Sequence, residues 1–153
     1  MPTYEYPRPG FTADIAVICN EKVLLIQRKF PPFVNSLVLP GGFVDEGETS
    51  RQAAIRELQE ETGLVVTKED EDNFHFVRLF DSPGRDPRGW TISALYLWYF
   101  RGPELPEVFA TDEAKDFCWK SVYDCEGLGF DHDSMVAVSH MEWMECKSWD
   151  FEL

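Results

Sequence analysis

The stretch "GGFVDEGETSRQAAIRELQEETGLVV", residues 41–66, places six acidic residues and two arginines within one short segment. Its second half predicts an α-helix from Thr49 to Thr62, followed by Gly63 at the position of a C-terminal cap. The acidic residues that precede this helix suit the positive end of the helix dipole. So much like charge on one small element needs an explanation.

The helical period places three of these carboxylates together. At about 100° per residue, Glu57, Glu60 and Glu61 share one face of the helix. The buried side is predicted on an adjoining arc, made by Ala54, Ile55, Leu58 and Thr62. The glutamates are therefore expected at the rim of the core, and Arg56 is spaced to reach Glu60 one turn along.

Two interpretations fit the three glutamates alone. One is a solvated acidic helix face; the other is a site for a divalent cation, which would remove the repulsion between the carboxylates. Gly41, Gly42 and Gly47 favour the second, because they shape a tight entry that brings Glu48 to the start of the helix. Magnesium is the natural ion, since it takes few carboxylates, keeps several waters and bridges to phosphates.

The spacing of these residues resembles a known family motif. Gly42 is followed after five residues by Glu48, and after seven more by the run "RELQEETGL", Arg56-Glu57-Leu58-Gln59-Glu60-Glu61-Thr62-Gly63-Leu64. This pattern is similar to a complete Nudix box. The resemblance implies an α/β (α+β) fold, a Nudix-type α/β/α sandwich with a mixed β-sheet, and hydrolysis of a nucleoside diphosphate linked to another moiety.

The same resemblance assigns expected roles to particular residues. The metal ligands would be Gly42, Glu57, Glu60 and Glu61, binding Mg²⁺ or alternatively Mn²⁺. Arg56 would orient the acidic cluster. The general base would come from the loop "ATDEAKD", with Glu113 preferred to Asp112, unless Glu60 activates the water itself.

The loop "SPGRDPRGWTIS", residues 82–93, bears on the substrate. Arg85 and Arg88 offer planar cationic groups suited to phosphate, although pairing with Asp81 or Asp86 is the plainer alternative. The loop resembles that of the ADP-ribose pyrophosphatase branch of the family. That likeness implies conversion of ADP-ribose and water to AMP and ribose 5-phosphate, with substrate contacts from Arg8, Glu48, Arg85 and Arg88.

Two alternatives to this function remain open. The first is a Nudix pyrophosphatase for another nucleotide, such as NADH, a nucleoside triphosphate or a dinucleoside polyphosphate. The second is a non-catalytic ADP-ribose sensor. The intact box favours an enzyme over a sensor.

Composition limits the possible binding partners, the location and the number of domains. A formal net charge of −14 argues against binding to nucleic acid or to anionic membranes. The four cysteines show no metal-binding spacing, and the N-terminus lacks an apolar signal core. We expect one domain over residues 1–153, with cysteines that are free thiols. We expect the protein in the cytoplasm. The family resemblance suggests a homodimer formed through N-terminal strands.

The rest of the chain predicts strands on either side of the central helix. They are expected at 11–18, 22–28, 35–42, 74–80, 90–100 and 117–120, and Pro40 with the following glycines is expected to end the third. A final helix is predicted near 133–146, with a buried stripe of Val136, Ala137, His140, Met141 and Met144. His132 is expected to cap this helix rather than to act in catalysis.

Overall fold

The computed structural model describes residues 5–100, 104–109, 111–114 and 116–152, with side chains as far as residue 145. The strands are β1 Gly10–Cys19, β2 Lys22–Gln27, β3 Leu37–Val38, β4 Gly41–Phe43, β5 Phe74–Phe80, β6 Thr91–Phe100 and β7 Asp116–Ser121. The helices are α1 Ser50–Thr62 and α2 His132–Glu152, and a 3₁₀-helix spans Lys68–Asn73.

These strands form one mixed sheet in the described part of the chain. Its main order is β3-β2-β1-β6-β5, while β4 pairs with the first half of β1 and β7 pairs with β2. Strands β1 and β6 run parallel over their whole length, and the other pairs are antiparallel. Strand β1 lies at the centre of the sheet, between β6 and β4, and β4 belongs to the acidic segment.

The sheet lies between the two helices. Alternate residues of β1 point to opposite faces: Ala13, Ile15 and Val17 pack in one core cluster with α1, whereas Ala16 and Ile18 pack in the other with α2. The α/β/α sandwich with a mixed sheet is therefore confirmed.

Local sequence signals fix both ends of α1: the cap at Gly63 was predicted, whereas the capping box at Thr49 was not. The Thr49 side chain accepts a hydrogen bond from the Gln52 backbone N–H, and the Gln52 side chain accepts one from the Thr49 backbone N–H. This capping box satisfies two of the free donors at the helix start. At the other end, Gly63 takes a left-handed conformation with φ of 79°.

Two details of the sequence prediction are wrong. The glycines after Pro40 do not end a strand; they lie within β4, so the segment 35–42 splits into β3 and β4. In α2, Ala137, Met141 and Met144 are exposed, the two methionines at 67% and 51%, whereas Val136 is buried as predicted. The side of α2 that packs on the sheet carries Val136 together with His132, Met135, Ser139 and Trp143, all buried.

Other features concern the cysteines and the length of the helices. Cys19, Cys118 and Cys125 are free thiols, and the Cys146 side chain lies outside the described part. No helix found among the described residues combines the length and the apolar character needed to cross a membrane.

Candidate active site

The acidic segment is organised around Arg56. Its guanidinium lies within 2.6 Å of Glu48 Oε1 and 2.8 Å of Glu57 Oε1, and 3.3 Å from Glu60 Oε2. It also donates to the Phe43 carbonyl at 3.0 Å. A planar guanidinium has five donors in a fixed geometry, so it can bind several carboxylates at once. The expected contact with Glu60 is present, and Arg56 binds Glu48 and Glu57 more closely.

Glu57 and Glu61 form a crowded carboxylate pair at the base of this cluster. Glu61 is 7% exposed and accepts a hydrogen bond from the Gly41 backbone N–H at 3.4 Å. Burial and then the charge of Glu57 raise the pKa of Glu61 well above its usual range. Burial also raises the pKa of Glu57, which Arg56 opposes. The pair therefore resists carrying two negative charges at once unless a further cation compensates them.

The position of Glu61 differs from the helical-wheel expectation. Ala53, Ala54, Leu58, Glu61 and Thr62 are buried, whereas Ile55 is only half-buried. The carboxylate of Glu61 therefore lies within the buried side of α1, and only Glu60 remains at the exposed rim, with its side chain 45% exposed. Strand β4 covers the helix at this point, which the sequence of α1 alone does not indicate.

Gly41 and Gly42 form a thin wall beside these glutamates. A Cβ atom on Gly42 would lie 2.5 Å from Glu57 Cδ, so only glycine lets the strand and the helix side chain approach this closely. On the other face of β4, Gly41 packs against the Asp14 carboxylate and the Ala13 carbonyl. The backbone of β4 is therefore held between two sets of oxygen atoms.

The donor set fits a hard divalent cation. Crowded carboxylate oxygens, next to a backbone strand without side chains, are ligands that Mg²⁺ or Mn²⁺ prefers. Within the ranges that the structure describes, no three His, Cys, Asp or Glu side chains already converge at metal-binding distances. Arg56 contacts both Glu57 and Glu60, so these two carboxylates are directed to the guanidinium rather than to a common point.

A cleft of about 110 Å³, partly open to solvent, begins at this wall. Gly41, Gly42 and Glu61 line it, and Arg85 and Arg88 belong to the same lining. The structure thus brings the predicted metal segment and the predicted substrate loop to one site.

The two loop arginines are already paired with carboxylates. Arg85, whose side chain is 3% exposed, makes a two-pronged ion pair with Asp131 at 2.7 and 2.9 Å. Arg88 bonds Asp86 at 2.7 Å and is more open, with 36% of its side chain exposed. The sequence identified Asp86 as a partner, whereas Asp131, which precedes α2, was missed.

Arg28 and Phe130 also line the cleft, and the sequence analysis missed both. The guanidinium carbons of Arg28 and Arg88 each lie 5.1 Å from the centre of the Phe130 ring, and Arg88 lies 4.8 Å from that of Phe43. Burial and then the charge of Arg88 lower the pKa of Arg28. Two cations therefore line the same cleft as Glu61. The sequence signal that could have identified Arg28 is its position directly after the apolar strand "KVLLIQ".

The remaining predicted site residues divide into two groups. Glu113 lines the cleft, and the neighbouring Asp112 carbonyl accepts a hydrogen bond from Lys29 Nζ at 2.5 Å. Arg8 is exposed and is not among the described residues that line the cleft. His132, expected only as a cap, is the first residue of α2 and also lines the cleft, together with Asp14.

Comparisons with known proteins agree with this geometry. Residues 9–137 match the NUDIX domain family. The chain is 36% identical over 138 residues to an ADP-ribose pyrophosphatase of Methanocaldococcus jannaschii, covering 90% of this chain and 76% of that protein.

Two solved structures have the same fold. One is a bifunctional NMN adenylyltransferase/ADP ribose pyrophosphatase from Francisella tularensis, complexed with AMP and a Mn ion. It has a TM-score of 0.82 and 36% identity, covering 91% of this chain and 43% of that longer one. The other is the NUDIX domain of Shewanella oneidensis NrtR complexed with ADP ribose, with a TM-score of 0.75, 26% identity and 90% of each chain covered. The chain therefore belongs to the Nudix family, and it is a Nudix pyrophosphohydrolase.

Proposed function

We propose that this protein hydrolyses ADP-ribose to AMP and ribose 5-phosphate in a Mg²⁺-dependent reaction. The observation that carries the proposal is the composition of the cleft, because the buried Glu61 carboxylate and the guanidiniums of Arg28 and Arg88 line it together. A diphosphate bound together with a divalent cation matches both kinds of group. The ADP-ribose pyrophosphatase that is 36% identical over most of this chain supports the substrate.

At the acidic end, Glu57, Glu60, Glu61 and the Gly42 carbonyl would hold the metal ion. When bound, a divalent cation neutralises the diphosphate and lowers the pKa of a coordinated water. Arg56 keeps Glu57 and Glu60 close despite their like charge, and Glu48 holds Arg56 in turn. In this proposal Mg²⁺ is the preferred ion and Mn²⁺ an effective substitute.

At the basic end, Arg28 and Arg88 would contact the diphosphate. Guanidiniums stacked on Phe130 keep their N–H donors in the plane of the group, directed away from the ring. The nearness of these two cations costs free energy, which a bound anion would offset. Arg85 would act from the cleft wall while Asp131 fixes its orientation. Glu48 and Arg8 keep their predicted substrate roles, although Arg8 is not among the described residues that line the cleft.

Glu113 is the proposed general base. Glu113 lines the cleft. For Asp112, the structure shows a hydrogen bond from Lys29 to its backbone carbonyl. Thr111 donates a hydrogen bond to the Glu61 carbonyl at 3.1 Å, which ties this loop to the end of α1. A carboxylate on such a loop can take a proton from a water that attacks phosphorus. Asp112 and Glu60 are the alternatives.

A sensor that binds ADP-ribose without cleaving it is the second candidate. Its support is the similarity to the NUDIX domain of Shewanella oneidensis NrtR. The crowded Glu57 and Glu61 pair favours the enzyme, because a site that only binds an anion gains nothing from two adjacent carboxylates. A homodimer, a cytoplasmic location and the lack of a nucleic-acid partner are further predictions from the sequence.

The test is a substrate comparison. Purified protein is incubated with ADP-ribose, NADH, 8-oxo-dGTP and diadenosine tetraphosphate, with and without Mg²⁺, and the products are separated by chromatography. We expect Mg²⁺-dependent release of AMP and ribose 5-phosphate, fastest from ADP-ribose. Faster cleavage of another compound would contradict the substrate assignment, and tight ADP-ribose binding without turnover would favour the sensor.

A further inference from the structure

A buried polar network lies behind strand β4, formed by Asp14, Ser93 and His132. These residues are 6%, 0% and 4% exposed, and they come from β1, β6 and the first residue of α2. Ser93 Oγ donates a hydrogen bond to Asp14 Oδ2, and His132 Nε2 lies 3.7 Å from Asp14 Oδ1. We call these three residues the Asp14 network.

The network holds the backbone that leads into β4 from one side. His132 Nδ1 accepts a hydrogen bond from the Leu39 N–H at 2.9 Å, across 93 residues of sequence. Asp14 packs so closely on Gly41 that a side chain there would overlap its carboxylate. Two of the three network residues therefore contact the segment 39–41 directly.

The other side of the same segment faces the glutamates. The Gly41 N–H donates to Glu61 Oε2 at 3.4 Å, and Gly42 leaves no space for a Cβ beside Glu57. A shift of this backbone by a fraction of an ångström would move the donor to Glu61 and the Gly42 carbonyl together. The position of β4 relative to α1 thus determines the geometry of the proposed metal site.

The composition of the network is costly for a role in stability alone. Burying an ionisable carboxylate and an imidazole costs free energy even when they are hydrogen-bonded, and apolar residues of similar size are often as stable or more so. Burial also lowers the pKa of His132, which agrees with a neutral ring that accepts a hydrogen bond at Nδ1.

We propose that His132 and Asp14 are positioning residues that fix Gly41 and Gly42 against Glu57 and Glu61, so that the metal ligands of the active site are correctly spaced. This inference rests on the proposed function, because it assumes that these glutamates bind a divalent cation. The ring of His132 sets the start of the segment through Leu39, and Asp14 sets its middle through Gly41.

The test uses four variants of the full chain. His132→Leu removes the acceptor for the Leu39 N–H. His132→Asn keeps an acceptor at about the position of Nδ1, whereas His132→Gln carries its amide further out. His140→Leu is the matched control, since His140 lies on the same helix and stacks on Trp143 instead.

Two measurements are made without substrate. Amide hydrogen exchange by NMR reports the protection of Leu39 and Gly41 relative to Trp98 in β6, and calorimetric titration reports the affinity for Mn²⁺. In His132→Leu we expect at least about tenfold faster exchange at Leu39 and Gly41 and at least about tenfold weaker Mn²⁺ binding, the usual scale for groups that orient metal ligands. His132→Asn should restore both, and His140→Leu should change neither.

Each contrary outcome identifies what has failed. Unchanged Mn²⁺ affinity in a folded His132→Leu variant overturns the inference, and so does faster exchange without a loss of affinity. If His132→Leu does not fold, the comparison of His132→Asn with His132→Gln decides, and equal Mn²⁺ affinity in those two overturns the inference. Wild-type protein that binds no Mn²⁺ overturns the proposed function as well.

Discussion

Gly42 determines how closely strand β4 and helix α1 approach each other. The Glu57 carboxylate occupies the place where a side chain on Gly42 would lie. The sequence indicated a special role for this glycine through its fixed spacing from the glutamates. It did not indicate the role of Gly41, because the carboxylate that packs on Gly41 belongs to Asp14, a residue of β1 distant in sequence.

We predict that Gly42→Ala displaces Glu57 and weakens Mn²⁺ binding by at least about tenfold. The added methyl group would lie 2.5 Å from Glu57 Cδ, so the strand or the carboxylate must move. The cost in free energy of unfolding should be about 1–3 kcal/mol. Calorimetric titration and urea unfolding measure the two effects. Gly84→Ala is the control, since a Cβ there meets no atom within 4 Å; equal effects in both variants would contradict the account.

Arg56→Lys should weaken metal binding although the charge is kept. A lysine ammonium cannot bind Glu48 through two atoms and reach Glu57 and Glu60 at the same time. We expect a 10- to 100-fold loss in Mn²⁺ affinity, measured by titration, with the protein still folded. The exposed Arg78→Lys should show no change. Full metal affinity in Arg56→Lys would show that one positive charge anywhere near the cluster is enough.

At the scale of elements, the sequence predicted what depends on local pattern. Helix α1, its cap and the long strands β1, β5 and β6 were predicted to within a residue or two, because periodicity and capping are local. The split between β3 and β4 and the buried side of α2 were not, because both depend on packing across the sheet. Met141 and Met144 fit a helical stripe, but the sheet contacts the neighbouring side of α2.

The contact between the loop before β6 and the start of α2 gives an element-scale prediction. Arg85 is buried and its ion pair with Asp131 joins these elements. Asp131→Asn should lower the free energy of unfolding by about 3 kcal/mol, because it leaves a buried guanidinium without its carboxylate. Urea denaturation measures the change, with the exposed Asp133→Asn as the control. A loss below about 1 kcal/mol would mean that the loop is held mainly by other contacts.

At the scale of the whole molecule, the acidic residues that give the net charge of −14 include the glutamates of the site. The sequence predicted the sandwich and the acidic half of the site, because the glutamates, Gly42 and Arg56 lie within one short segment. The basic half was predicted only in part. Arg28 and Phe130 reach the cleft from two separate segments, and Asp131, next to Phe130, pairs with Arg85 of a third; no local pattern relates these segments.

Metal removal should therefore destabilise the folded chain. A ligand that binds only the native state at a concentration about 100 times its Kd adds about 2.7 kcal/mol of stability. We expect Mn²⁺ or Mg²⁺ to raise the Tm by several degrees and EDTA to reverse the rise, as measured by differential scanning calorimetry. An equal rise with Na⁺ at matched ionic strength would indicate general screening of the acidic surface instead.

The most direct test of the central claim compares wild-type protein with Glu61→Gln in Mg²⁺-dependent release of AMP from ADP-ribose. The glutamine keeps an acceptor for the Gly41 N–H and removes the repulsion with Glu57, so the variant should fold with a Tm at least as high as that of metal-free wild type. The account predicts that its turnover falls at least about a hundredfold, as the loss of a metal ligand requires. Turnover equal to that of the wild type would contradict the assignment of these carboxylates to the metal.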